Sequence, residues 1–216
     1  MIHPNLLAKL TFNDAKVIQK IVMNTTSETM LKKWILDKES ITDMLDNDLV
    51  YEYLIQKKSK KQISAALYYY IIIRRALVEH GVDATDIAEY MASLVEEFSI
   101  GNRAFKIATH DDDQYEYLID LSKDIQIYGG DRAFLLSSHL GNYALWISGI
   151  FPQYIDNKGI STSYYDMMGI RGFKMASVHP MAKQYDLIDV LEGLSASYID
   201  IRRSLNDLAT VVNFSQ

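Results

Sequence analysis

AFLLSSHLGNYALWISGIFPQYI, residues 133–155, decides the fold. It runs for 23 residues without one formally charged side chain, in a chain where 23% of residues are charged. A stretch of that length and content has three readings: a membrane span, a buried core helix, or the wall of a ligand site. A span needs about 20 predominantly apolar residues. Here Ser137, Ser138, His139, Gly141 and Asn142 crowd the middle, and Pro152 with Gln153 follow. Polar groups at the bilayer centre are costly. No second segment resembles a partner span, since ISAALYYYIII (63–73) meets Arg74 and Arg75. The stretch therefore predicts a central helix, apolar on all sides, buried in a protein core over about 131–151.

Working outward, the pattern is helical nearly throughout. Thr11 or Asn13 caps a helix carrying Val17, Ile18, Ile21 and Val22. A second helix opens at Ser27 with Met30, Leu31, Trp34 and Ile35 at helical spacing. LVYEYLI (49–55) alternates and suits either a helix or a strand, but it has no partner strand. A long helix is expected from Lys60 to His80, ended by Gly81 in the left-handed region. The next begins at Asp83 or Thr85 and ends at Gly101. HDDDQYEYLIDLSKDIQIYGG (110–130) predicts a helix with an aspartate-rich first turn, as the helix dipole favours. Asp131 then caps the central helix. Beyond the linker DNKGIS (156–161), helices are expected around 164–175, 181–194 and 196–212, with His179-Pro180 as a break. The fold class that follows is all-α, one multi-helix domain over 1–216, with the option of a separate N-terminal helical lobe over 1–58.

Composition narrows the function classes. A chain of 216 residues with 49% hydrophobic side chains buries a sizeable core, roughly 70% of its unfolded surface. Cysteine is absent, which rules out disulfides, thiolate metal sites and a thiol nucleophile, and fits a reducing cytoplasm. The first residues, MIHPNLLAKLTFND, lack the pattern of a signal peptide. The net charge of −6 disfavours nucleic acid and anionic lipid. KKSKK (57–61) is the strongest local basic cluster, and it suits a solvated turn.

No Glu-x-x-His pair, His-Glu-x-x-His, phosphate-binding glycine loop or nucleophile elbow occurs. HDDD (110–113) lacks the glycine and glutamate of a calcium loop. No catalytic residue, metal ligand or cofactor is assigned, and the balance leans away from an enzyme. Two faces of the central helix remain. Ser137, Gly141, Ala144 and Ser148 form a small face that admits a neighbouring backbone. His139, Tyr143, Trp146 and Ile150 form an adjacent face, which suits a core surface or a pocket wall. Tyr164 and Tyr165 precede Gly169 and Gly172, and His179 follows. Glycines inside a helix cost about 1 kcal/mol each relative to alanine, so they point to close packing.

The order of ALWISGIFP (144–152), YYDMMGIRGFKMAS (164–177) and RRSLNDLA (202–209) resembles a family of bacterial helical proteins. Its pattern is an ALxxSGxF helix followed by a YYxxMGxxxYxxAS segment. YYYIIIRRALVEHGVD (68–83) is similar too, so the resemblance spans about 60–210. Phe173 stands where the family pattern has tyrosine. The resemblance implies a helical fold and no reaction.

Two functions are expected from this reading. The first is a non-enzymatic interaction protein that forms a homo-oligomer or binds a protein partner, resting on 15 tyrosines and 9 methionines. The second is a binding protein for a small, mostly apolar ligand between the 131–151 helix and the 161–180 segment. Its site residues would be His139, Tyr143, Trp146, Tyr164, Tyr165 and His179.

Overall fold

A computed structural model describes Ile2, Pro4 and residues 6–24, 38–56 and 63–212. The helix expected from Ser27 to Ile35 and the KKSKK cluster lie outside the described residues. Among the described residues the chain is helical, without strand. The helices are α1 (Leu6–Lys9), α2 (Phe12–Met23), α3 (Lys38–Leu45), α4 (Asp48–Gln56), α5 (Ala65–Glu79), α6 (Thr85–Phe98) and α7 (Leu118–Ile127). A short 3₁₀ turn (Arg103–Phe105) lies between α6 and α7. Then come α8 (Gly130–Ile150), α9 (Pro152–Asn157), α10 (Thr162–Ser177), α11 (Pro180–Gln184), α12 (Ile188–Ala196) and α13 (Tyr198–Val211).

The quoted stretch is the central helix. Every residue of α8 from Leu136 to Ile150 is buried, with α7, α10 and α13 packed around it. Among the described residues, no helix is long and apolar enough to cross a membrane. The small face works as its side-chain sizes dictate. A Cβ at Gly172 of α10 would fall 2.5 Å from the Gly141 backbone nitrogen and 2.8 Å from the Ser137 carbonyl oxygen. A Cβ at Gly141 would strike the Phe173 ring at 2.6 Å. The two backbones touch, and Phe173 fills the space that Gly141 leaves. On the other flank Gly149 admits Leu205 of α13, and Asn206 donates to the carbonyls of Ser148 and Gly149 at 2.8 and 2.7 Å. Those carbonyls lie in the last turn of α8, where partners from within the helix run out.

Polar side chains fasten the periphery. Thr11 caps α2 in a capping box with Asp14. Asp14 is fully buried, and its other oxygen accepts the Ser64 N–H at 2.7 Å, where Ser64 in turn caps α5. The ambiguous LVYEYLI is helical in α4. Arg74 on α5 grips Asp46, in the turn before α4, through a bidentate pair and also reaches Asp83. Arg202 of α13 holds Asp166 of α10. Of the three consecutive tyrosines, Tyr70 is buried while Tyr68 and Tyr69 are half-buried.

Three local expectations are corrected. Residues 110–117 do not begin a helix, and α7 starts only at Leu118. The aspartates there are drawn away from a helical path. Arg132 takes Asp111 at 3.2 Å and Asp113 at 2.7 Å, while the Tyr115 N–H donates to the Phe105 carbonyl at 2.7 Å. Asp131 does not cap α8: Gly129 stands at the cap and Gly130, at φ +56°, turns the chain into the helix. Asp131 falls instead in the first turn, where its charge still suits the dipole. Neither Asp83 nor Thr85 caps α6; the cap position is Ala84, without a side-chain bond, because Asp83 is committed to Arg74.

Candidate functional site

The open space in the core edge lies beside the second half of α8, on the side of the α6–α7 connection. Helix α6 ends at Phe98, and the chain turns through Gly101, at φ +51°, into the 3₁₀ turn. That path carries Phe98, Ala104 and Phe105 past Tyr143 and Trp146 of α8. Pro152 then ends α8 and opens α9, which brings Phe151 and Tyr154 round to the same space. The result is a cleft of about 390 Å³ walled by Phe98, Phe105, Tyr143, Trp146, Phe151 and Tyr154, with Ile147 and Ala104 between them. Among the described residues, none that lines it carries a formal charge.

The rings meet edge to face. Phe98 and Trp146 have centroids 5.8 Å apart at 86°, Trp146 and Phe151 5.4 Å at 77°, and Phe105 and Tyr143 5.9 Å at 62°. Such pairs place the positive edge of one ring on the negative face of the next. The Tyr143 hydroxyl donates to the Glu116 carbonyl at 3.2 Å, so the strap of residues 106–117 is tied to the wall. Burial, and then the neighbouring Tyr154, pushes the Tyr143 phenol well above its ordinary range, so it stays neutral. Arg103 stands outside, 5.7 Å over the Phe98 ring and paired with Glu97 at 3.0 Å.

Of the six expected site residues, Tyr143 and Trp146 line this cleft. His139 lies behind its wall. The imidazole stacks on Tyr143 at 6.0 Å and 5°, meets Phe98 edge-on at 5.7 Å, and bonds the Ala104 backbone. Its Nε2 is buried without a partner. Burial, and then the nearby Arg103 charge, pushes its pKa down to about 3. Tyr165 is buried close enough to Tyr143 to affect it, and is paired edge-on with the half-buried Tyr164 at 5.8 Å. Neither is among the lining residues. His179 belongs elsewhere: its Nδ1 accepts the Met181 N–H at 3.2 Å, capping α11, and its ring packs on Phe134 at 5.5 Å. Phe134 is about 18 Å from Trp146 along α8.

The expected location between the 131–151 helix and the 161–180 segment is occupied by side chains and backbone at Gly141 and Gly172. The cleft opens on a different flank of the same helix. Four of its wall residues, Phe98, Phe105, Phe151 and Tyr154, were missed from sequence. Phe151 and Tyr154 stood inside the uncharged run 133–155, and that run's extension past Pro152 was the available signal. Phe105 lies in a short segment with no periodicity to place it. Among the described residues, no group of three acidic or histidine side chains is placed to hold a metal. Comparison with known proteins finds no matching family, no matching characterised protein and no matching solved structure.

Proposed function

We propose that the protein binds a small, mostly apolar molecule in the cleft beside Tyr143 and Trp146. The observation that carries this reading is the uncharged, six-ring wall around about 390 Å³ at the end of the central helix. That volume lies within the range of small-molecule sites, which are concave, mostly apolar and lined by aromatic side chains. An interior normally packs to crystal-like density, so an aromatic-lined space of this size stands out. The walls supply ring faces, two phenols and backbone groups, which suits holding an apolar body.

Self-association, the other expectation from sequence, has a weaker foothold. Large exposed apolar side chains are spread over many elements, such as Phe12, Leu49, Val78 and Val178. The densest set lies on and beside α7: Tyr117, Ile119, Ile127 and Tyr128.

Ser99 tests the ligand reading because it is exposed, lines the cleft and ends α6 in an ordinary helical conformation. Ser99→Trp would plug the cleft while leaving the core intact. Saturation-transfer NMR with indole and benzyl alcohol is expected to show binding to the unmodified protein, with Kd below about 1 mM, and no binding to Ser99→Trp. Binding that survives in Ser99→Trp, or no binding to either protein, contradicts the proposal.

A further inference from the structure

The end of α6 and the 3₁₀ turn after it have a second side. Phe98, Gly101 and Ala104 line the aromatic cleft. Glu97, Ile100, Arg103 and Lys106, also three apart, line a separate cavity of about 370 Å³ together with Asn102 and Thr109. A spacing of three is the 3₁₀ period, so one short segment presents an apolar face and a polar one. Two cations and one carboxylate line this cavity, which sums to +1 although the whole chain carries −6. The Arg103 side chain is only 11% exposed and is fixed in place: it pairs with Glu97 at 3.0 Å and donates to the Lys106 carbonyl. Its Nε is buried with no partner among the described residues. Glu97 is thereby committed to Arg103. The half-buried Lys106 is left without an ion pair among the described residues, and the Asn102 amide and the Thr109 hydroxyl without a hydrogen bond. An ammonium offers three donors and no acceptor, and the amide and the hydroxyl can each donate as well.

From the meeting of the fixed Arg103, the unpaired Lys106 and the uncommitted donors of Asn102 and Thr109 in one cavity, we propose that this cavity binds the carboxylate of a small organic acid. The lining charge of +1 matches a single negative charge. A phosphate group carries close to two near neutral pH, and the excess would stand beside Glu97. Attraction to a cation held largely out of water is less screened than attraction to a solvated one. Ile100, 67% exposed, gives a short carbon chain an apolar surface at the same place. The site does not depend on what fills the aromatic cleft, because the two cavities share no lining residue.

Lactate and lactamide have nearly one shape and differ in charge, so the pair isolates the carboxylate. Each is titrated into the ¹⁵N-labelled protein at constant ionic strength, and the backbone amide shifts of Asn102, Lys106 and Thr109 are followed. Lactate is expected to move them to saturation with Kd below about 10 mM. Lactamide is expected to bind at least about fivefold more weakly, the effect of one lost ion pair in water. Lys106→Gln removes the unpaired charge, and Asn102→Asp, at an exposed position, puts a negative charge in the lining at almost unchanged size. Each is expected to weaken lactate at least about fivefold, and the dispersion of the same spectra reports whether the variant is folded, so either one suffices. Equal binding of lactamide, no saturable shift with lactate, or unchanged lactate affinity in a folded variant overturns the proposal. Inorganic phosphate binding more tightly than lactate overturns the assignment to a carboxylate.

Discussion

His139 shows how a residue with functional chemistry is absorbed by the core. It is the single histidine in the uncharged run, and a pocket face built on it was a reasonable expectation. In the fold its ring is 3% exposed, stacked behind Tyr143, with one hydrogen bond to the Ala104 backbone. Its consequence is for stability. The folded pKa is pushed down to about 3, while the unfolded value is near 6.5. Above pH 6.5 the ring is neutral in both states, and the fold keeps its full stability. As pH falls below 6.5, the unfolded chain takes up a proton that the folded chain refuses. Stability then falls by about 1.4 kcal/mol per pH unit until about pH 3. His139→Asn is expected to cost about 1–3 kcal/mol at pH 8 through the altered hydrogen bond and packing. It should also remove about 2 kcal/mol of the loss between pH 6.5 and pH 5. Guanidinium unfolding of both proteins at pH 8 and pH 5 checks this. A variant with the parental pH slope would show that the imidazole is protonated in the fold or lies open to water.

At the scale of elements, the contact of α8 with α10 follows from two missing side chains. Gly141 and Gly172 bring the backbones together, and a Cβ at Gly172 would lie only 2.5 Å from a main-chain nitrogen. Backbone cannot move aside as a flexible side chain does. Gly172→Ala is expected to lower stability by about 1–3 kcal/mol, as overpacking does, despite alanine's better helix propensity. Gly129→Ala is the control: its φ is −106° and no atom lies near the added Cβ, so a change within about 0.5 kcal/mol is expected. Thermal or denaturant unfolding of the pair decides it. A Gly172→Ala protein as stable as the parent would mean that the two helices are held apart by other contacts. The sequence already marked both glycines as packing sites, because glycine within a helical pattern needs a reason. It did not mark the failure of 110–117 to be helical. That depended on Arg132, nearly twenty residues away, competing for Asp111 and Asp113.

On the scale of the whole molecule, the all-α class and the burial of α8 were legible, because an uncharged run with polar residues at its middle has few other homes. Of the six rings in the candidate site, two were legible. Tyr143 and Trp146 share a helix face, so spacing alone put them together. Phe98 and Phe105 reach them through a non-helical connection whose path is set by the turn at Gly101 and by the Tyr115–Phe105 backbone bond. Nothing periodic announces such a path. Tyr164, Tyr165 and His179 were grouped with the site because a packed contact was read as a ligand space. The proposal is therefore one of place: a small molecule would sit between the end of α8 and the 98–105 turn, and not between α8 and α10. A crystal soaked with 5-bromoindole tests it by the anomalous signal of bromine. The account predicts one bromine site among Phe105, Tyr143, Trp146 and Phe151. Bromine seated between α8 and α10, or no ordered bromine in the cleft at saturating soak, would contradict it.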